Sequence, residues 1–444
     1  MKFQYDPAYA VNDDLARDLI AITGDALAGG PVPVEPEDAA EGEARASDLP
    51  LRNADVIVSH IEVNNRHGVG VLLERLFGKH SNVLSIRSEN HFGSQQDFGD
   101  LDLCIWHDEN ASREAATKAV REGLGENKPG RILCVPYFAN DVRNALALKD
   151  SFDAPLATYL MDDQNVCADG IPDELMRELL ERSGLRLAIS AELAVAYEAK
   201  YGLKMWLMPP VIPARHILGH PLPREEVLKK PDTGAILGNI WGQRWLDLLR
   251  NAVGGSGITL NWHSTNHLRY LSASPRELAR EGIEIPVGPP LPDPELVDVL
   301  RQTAFVVVPT GALDEDDDRR FIAQLSLPSR IPFILATSHT PLLVVGSERT
   351  GAARFVEELG IGLVCSYDPL AFREAVARIT DPETNLRMRR TALAVSGRFA
   401  DAGAAEWLWQ SLDKGEPYDL RYEGWMRRPR PEIEELVHGG GRSK

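Results

Sequence analysis

The chain has 444 residues, and its 48 Lys plus Arg against 66 Asp plus Glu give a formal charge of −18, which argues against the broad basic surface that nucleic-acid backbones require. With 43% hydrophobic residues it can build cores in the two or three domains this length suggests, and it is too apolar for a disordered or collagen-like chain. Cys104, Cys134, Cys167 and Cys365 form no C-x-x-C pair, no apolar run reaches roughly eighteen residues, and Met1–Pro7 lacks the cationic and apolar regions of a leader; a reducing cytoplasm, with no zinc site and no disulfide framework, is the expectation.

In chain order, Leu15, Leu19, Ile20 and Ile22 suggest a short helix over Asp13–Ala28. Residues 28–50, with six acids against one Arg among Pro, Gly and Ala, read as a solvated linker. Apolar runs rich in β-branched residues then alternate with amphipathic stretches, the pattern of a parallel sheet covered by helices. Expected strands are Asp55–Ser59, Asn82–Ile86, Leu103–Trp106, Arg131–Val135, Ala157–Met161, Leu187–Ser190 and Met205–Met208, with helices over Gly68–Phe77, Ser112–Glu122 and Pro172–Ser183. The Pro-rich stretch from Pro209 to Pro231 breaks the pattern. A second series follows: Ala235–Leu237, Gly257–Leu260, Phe305–Pro309, Pro341–Val345 and Ile361–Ser366. The class is α/β, with two doubly wound domains whose ligands lie in the cleft between them. The expected divisions are an extension (1–50), a first domain (51–211), a hinge (212–232), a second domain (233–400) and a crossover helix with tail (401–444).

Four segments suit chemistry. The loop Glu62–Gly70 precedes a helix, and Gly68 and Gly70 allow backbone N–H groups to approach an anion or a sugar, although a plain tight turn reads equally well. It is neither a Walker loop nor a full dinucleotide fingerprint. His67 there is a candidate base, or only a hydrogen-bonding loop residue. At the end of a strand, Asp162 and Asp163 can face a sugar hydroxyl; the plainer reading has one of them capping the next segment and the other solvated. After another strand, Gly238 permits close approach, Asn239 follows it, Trp241 offers a ring face and Arg244 can pair with phosphate; alternatively, Trp241 and Trp245 pack on one helix face. The strongest signal runs from Phe305 to Ser347, where a helix start opened by Pro328 and Ser329 brings N–H groups and Arg330 together, as suits a diphosphate. The acidic run Asp314–Asp318 reads as a solvated loop.

Taken together, Asn65–Gly70, Tyr159–Asp163, Ile189–Gly202, Gly238–Trp241 and Leu327–Arg330 with Pro341–Val345 and Gly360–Gly362 resemble the GT-B nucleotide-sugar glycosyltransferases, bacterial family 4 especially, over roughly residues 55–415. The resemblance implies two Rossmann-like domains, the second holding the donor nucleotide and the first facing the acceptor, with no metal or other cofactor needed and with a last helix, near Ala404–Leu412, that crosses back onto the first domain. It implies that Gly238, Asn239 and Trp241 line the donor cleft, that Ser326, Ser329, Arg330 and Ser347 sit near the diphosphate, that Gly68 and Gly70 sit opposite, and that Asp162 and Asp163 face the transferred sugar or acceptor hydroxyl. The chain departs from family 4 where that family carries two glutamates eight positions apart; Ser326 and Ile334 stand there.

The activity so implied is transfer of a sugar from a nucleotide-diphosphate donor to an acceptor hydroxyl of a surface glycan or lipid-linked precursor, with retention. The Arg330 guanidinium, then Arg244, would stabilise the leaving phosphate. An inverting enzyme would need a base instead: Asp162, Asp163 or His67. A sugar-nucleotide epimerase and a GT-B-like subunit without catalysis are the competing readings. The tail Arg421–Arg430 mixes Arg with aromatics, which suits peripheral contact with anionic lipid at the inner face of the membrane or ordinary surface packing.

Overall fold

The computed structural model describes residues 49–93, 98–108, 111–223, 229–264, 268, 271–424, 433 and 437. The helix expected over Asp13–Ala28, nearly all of the linker and the tail beyond Gly424, apart from two positions, lie outside the described residues.

The first half alternates strand and helix: β1 (Ala54–Ser59), α1 (Gly68–Phe77), β2 (Val83–Arg87), β3 (Leu101–Cys104), α2 (Arg113–Leu124), β4 (Pro129–Cys134), α3 (Ala139–Phe152), β5 (Leu156–Leu160), α4 (Asp173–Arg182), β6 (Leu185–Ala188), α5 (Ala191–Tyr201) and β7 (Trp206–Leu207). These strands form a parallel sheet in the order β3-β2-β1-β4-β5-β6-β7. The central strands β1, β2 and β5 are buried along their whole length, as a sheet with helices on both faces requires. Helix α1 shows why these segments fold as they do: Val69, Leu72, Leu73, Leu76 and Phe77 fall on one stripe and are all buried, each contributing roughly 1.5–3 kcal/mol of transfer free energy.

The second half repeats the plan: β8 (Thr233–Leu237), α6 (Gln243–Val253), β9 (Thr259–His263), α7 (Pro275–Arg280), β10 (Ile283–Glu284), α8 (Asp293–Gln302), β11 (Val306–Pro309), α9 (Arg320–Leu325), α10 (Arg330–Ser338), β12 (Leu342–Val345), α11 (Gly351–Leu359), β13 (Gly362–Cys365), α12 (Pro369–Thr380), α13 (Pro382–Ser396) and α14 (Ala404–Lys414). Its sheet is also parallel, in the order β10-β9-β8-β11-β12-β13. Each expected strand is present, with ends shifted by up to a few residues. The two-residue β10 is additional, being too short to leave a periodic signal. The run expected to end at Trp106 pairs only as far as Cys104, and Trp106 is 59% exposed beyond the sheet.

The chain passes from the first sheet to the second near Ile212 and returns near Ala400, and the two crossings pair: Ile212 N–H donates to Phe399 O and Asp401 N–H to Ile212 O. Beyond the return, α14 buries Ala404, Trp407, Leu408, Trp409 and Leu412 in the core of the first sheet. Trp409 packs against Phe77 at 5.6 Å between ring centroids and lies under the Arg131 guanidinium at 4.4 Å. Among the described residues no helix is long and apolar enough to cross a membrane.

Candidate functional site

In each sheet the order reverses once, between β1 and β4 and between β8 and β11. The carboxyl ends of strands flanking such a reversal leave a crevice between loops that diverge to opposite faces, where open α/β sheets bind ligands. The loop after β1 carries His60, Glu62 and His67 and leads into Gly68, the first residue of α1; that after β4 carries Tyr137; that after β5 carries Asp162; and the loop after β8 carries Gly238 and Asn239.

The α1 start meets the α10 start across the cleft. A Cβ added at exposed Gly68 would meet only Ser329 Oγ, at 3.7 Å. Two helix N-termini thus turn their positive dipole ends to a common space; at α10 the Ile331 N–H already donates to Pro328 O and Pro332 has none to offer. Arg330, in the first turn of α10, donates from Nη1 to Leu237 O and to Asn239 O, both at 2.7 Å. Its side chain is mostly buried, and burial lowers its pKa to about 10, so it stays charged at neutral pH. Among the described residues carbonyl oxygens answer this cation and no carboxylate pairs with it. Gly238 is needed to admit it: the residue has φ +79°, and an added Cβ would lie 3.2 Å from Arg330 Nη1. Asn239 turns its side chain the other way, its Oδ1 accepting from Ser264 Oγ at 2.6 Å.

Asp162 and Asp163 have separated roles, because successive residues leaving a strand point to opposite sides. Asp162 accepts from the Tyr137 hydroxyl and faces Ser326 of the second domain. Burial raises its pKa, while the hydrogen bond from the Tyr137 hydroxyl partly offsets that rise; Ser326 Oγ is buried beside it without a hydrogen-bond partner among the described residues. Asp163, expected as a second candidate at the sugar, is instead buried and organises its own loop. It accepts from the backbone N–H groups of Asn165, Val166, Cys167 and Ala168 at 2.6–3.2 Å and from the Tyr197 hydroxyl at 3.3 Å. With those bonds made it has no acceptor capacity left for a substrate.

Several other expected site residues serve the scaffold. His67, a candidate base, donates from Nε2 to Glu62 O at 2.7 Å and accepts at Nδ1 from Gly70 N–H at 3.3 Å, which caps α1. Burial lowers its pKa, and both ring nitrogens are already used. Gly70 is set by packing, since a Cβ there would fall 2.2 Å from Asn64 O. Arg244, a candidate phosphate partner, pairs with Asp314 at 2.5 Å. The run Asp314–Asp318 is not simply solvated: Asp317 is 2% exposed and accepts from Trp245 Nε1 at 2.9 Å and from Leu313 and Arg319 N–H. Trp245 is buried, whereas Trp241 precedes the helix and is 40% exposed, so the two do not share a helix face. Ser347 spends its N–H on Gly311 O, and its Oγ accepts from Arg349 N–H. Ile334, at one of the two glutamate positions of family 4, is fully buried in the second core.

Sequence reasoning missed Tyr137 and His60. Tyr137 is fixed by Asp141, which accepts from the N–H groups of Tyr137 and Phe138 at 2.8 and 2.7 Å. His60 stacks on Tyr137 with 4.3 Å between ring centroids, and burial lowers its pKa well below the usual value. Their signal was position: His60 directly follows β1 and Tyr137 comes three residues after β4, the two strands at the reversal of the sheet.

No family profile and no curated protein matches the chain. Solved structures do. Sucrose-phosphate synthase from Thermosynechococcus elongatus superposes with a TM-score of 0.55 at 11% identity, over 81% of this chain and 98% of that one. Anabaena HepE, in complex with UDP and glucose, gives 0.54 at 12% identity over 81% and 99%. WaaG, a glycosyltransferase involved in lipopolysaccharide biosynthesis, gives 0.52 at 11% identity over 81% and 99%. The chain has the GT-B fold. In this GT-B frame the first sheet supplies Gly68, Tyr137 and Asp162, and the second supplies Gly238, Ser326, Ser329 and Arg330, to one cleft.

Proposed function

We propose that this protein transfers a sugar from a nucleotide-diphosphate donor to an acceptor hydroxyl of a glycan or lipid-linked precursor. The observation that carries the reading is the Arg330 guanidinium, buried beside the α10 start and answered by two carbonyls rather than a carboxylate. A buried cation is costly unless an anion compensates it, and a diphosphate supplies that anion where N–H dipoles already converge. HepE, a structural neighbour, holds UDP and glucose, which agrees with a nucleotide donor here.

Departure of the nucleoside diphosphate places charge on the leaving phosphate, and Arg330 with the positive end of the α10 dipole would stabilise it without reorganising. No metal takes part in the reading. Asp162, raised in pKa and aligned by Tyr137, sits where a group from the first domain would orient the acceptor or the transferred sugar. Retention follows if the leaving phosphate takes the acceptor's proton on the same face; inversion would assign that proton to Asp162. A GT-B subunit without catalysis is the second reading, favoured by the absence of carboxylates at Ser326 and Ile334.

Calorimetric binding of UDP, GDP, ADP, dTDP and CMP, with and without EDTA, tests the proposal. Binding of a nucleoside diphosphate in EDTA, followed by its release from the matching sugar donor, is the expected result. Binding without turnover selects the second reading, and no binding refutes the donor site.

A further inference from the structure

The segment Gln324–Ser326, which ends α9 and leads directly into Leu327-Pro328-Ser329-Arg330, belongs in sequence to the second domain. In packing it belongs to the first. Leu325 is fully buried and is a member of the first sheet's hydrophobic cluster, together with residues of α5. Its carbonyl accepts from Ser190 Oγ at 2.5 Å, and the same Oγ caps α5 by accepting from Leu193 N–H at 3.0 Å. On either side of it, Cys167 Sγ donates to Gln324 Oε1 at 3.5 Å, and Ser326 faces Asp162. Three consecutive residues are therefore gripped by two loops of the first domain, the one after β5 and the one after β6. On its other side the segment touches the second domain closely, since a Cβ on Gly351, at the start of α11, would lie 2.8 Å from Ser326 O.

We infer that Leu325 and Ser190 are positioning residues that couple the seating of the first domain to the placement of Ser329 and Arg330. The inference rests on the transferase reading for the identity of the ligand, not for the coupling itself. Leu325 is four residues from Ser329 and five from Arg330, and Leu327 between them and Ile331 just beyond are buried in the second core. The linking stretch is short and held at both ends, so a displacement of the Leu325 plug is transmitted to the α10 start instead of being absorbed by slack. Packed interiors shift between discrete arrangements and do not deform continuously. The donor cradle is thereby complete only while the first domain holds the plug, and ligand binding to the cradle in turn favours the seated domain, because the coupling is reciprocal.

The test compares Leu325→Ala with Leu179→Ala, which removes an equally buried leucine of the same core on α4, away from this segment. Leu325→Met and Ser190→Thr are the conservative variants. Affinity is measured by calorimetry with whichever nucleoside diphosphate the wild type binds, and hydrogen exchange is followed in the peptide spanning Leu327–Phe333 without ligand. Leu325→Ala should weaken affinity about tenfold and speed exchange in that peptide. Leu179→Ala should change affinity less than about twofold and leave the exchange alone, and Leu325→Met should restore both. Equal effects of the two alanine variants would reduce the plug to ordinary core packing, and unchanged affinity and exchange in Leu325→Ala would overturn the coupling. A wild type that binds no nucleotide refutes the transferase reading, while the exchange comparison still decides the coupling.

Discussion

Replacing Arg330 by Ala tests the donor site most directly. The guanidinium makes two hydrogen bonds, to Leu237 O and Asn239 O, each worth about 1.5–3 kcal/mol to a charged donor. Removing it also ends the cost of keeping a cation away from water. These contributions oppose one another, so unfolding free energy should change by no more than about 2 kcal/mol, readable as a denaturant midpoint. Ligand affinity has no such offset. A unit charge about 4 Å from a phosphate oxygen gains about 4 kcal/mol at an effective dielectric of 20, and reorganisation and the neighbouring N–H groups take back part of it. A net loss of about 2–3 kcal/mol predicts nucleoside diphosphate binding weaker by roughly 30–150-fold. Arg330→Lys keeps the charge without the fork that reaches two carbonyls, so it should fall between. Calorimetry on both variants is the assay. Unchanged affinity in a folded Arg330→Ala protein would refute the placement of the diphosphate.

Arg244→Ala should leave nucleotide affinity within about twofold by the same calorimetry, since Asp314 already holds that guanidinium and an exposed pair carries little energy. Asp163→Ala should lower unfolding free energy by about 3 kcal/mol in a denaturant titration, because four backbone donors, one buried and three part-buried, lose their acceptor. Asp162→Asn should remove the acidic limb of the rate–pH profile, a limb that in the wild type sits above the ordinary carboxylate range because burial raises that pKa; a profile identical to wild type would exclude Asp162 from the reaction. Glu192 is raised by burial from 4.5 to about 7. A group whose folded pKa exceeds its unfolded value stabilises fully below the unfolded pKa and loses that stabilisation as pH climbs through the folded one. Unfolding free energy should therefore fall between about pH 4.5 and 7, by at most about 3 kcal/mol from this residue. Glu192→Gln should flatten that slope in midpoints measured at pH 5 and pH 8.

Much of the architecture was legible because buried parallel strands must be largely apolar and β-branched, as Val56–Val58 in β1 and Val306–Val308 in β11 are. Where that pressure is absent the sequence is silent: β10 is two residues long, and Trp106 extends an apolar run past the last ladder bond. At the site, residues chosen because they stand where strands end and helices begin did converge, as with Gly68, Gly238, Ser329 and Arg330. What spacing did not resolve was direction. Asp162 and Asp163 are adjacent and chemically identical, and the backbone sends one toward Tyr137 and the other into its own loop. Within Asp314–Asp318, Asp317 is singled out by Trp245, a residue 72 positions earlier. Such choices belong to tertiary packing, which a local pattern does not contain.

The direction taken by Asp162 has a consequence for how the cleft works. Its pKa is governed first by burial and then by the Tyr137 hydroxyl. Ser326 of the second domain faces the same carboxyl, so part of that burial depends on the domains being seated as they are here. Were the cleft to open, the carboxyl would lose that burial and become the stronger acid. In the transferase reading, closure would then favour proton uptake at Asp162, and rising pH would work against closure. The same Ser326 is one residue from the Leu325 plug and three from Ser329, so in the proposed transferase one short segment touches both the carboxyl assigned to the acceptor and the donor cradle. In a transferase this joins two requirements that must be met together: the leaving phosphate is held, and the acceptor side is desolvated, only when both domains are in place.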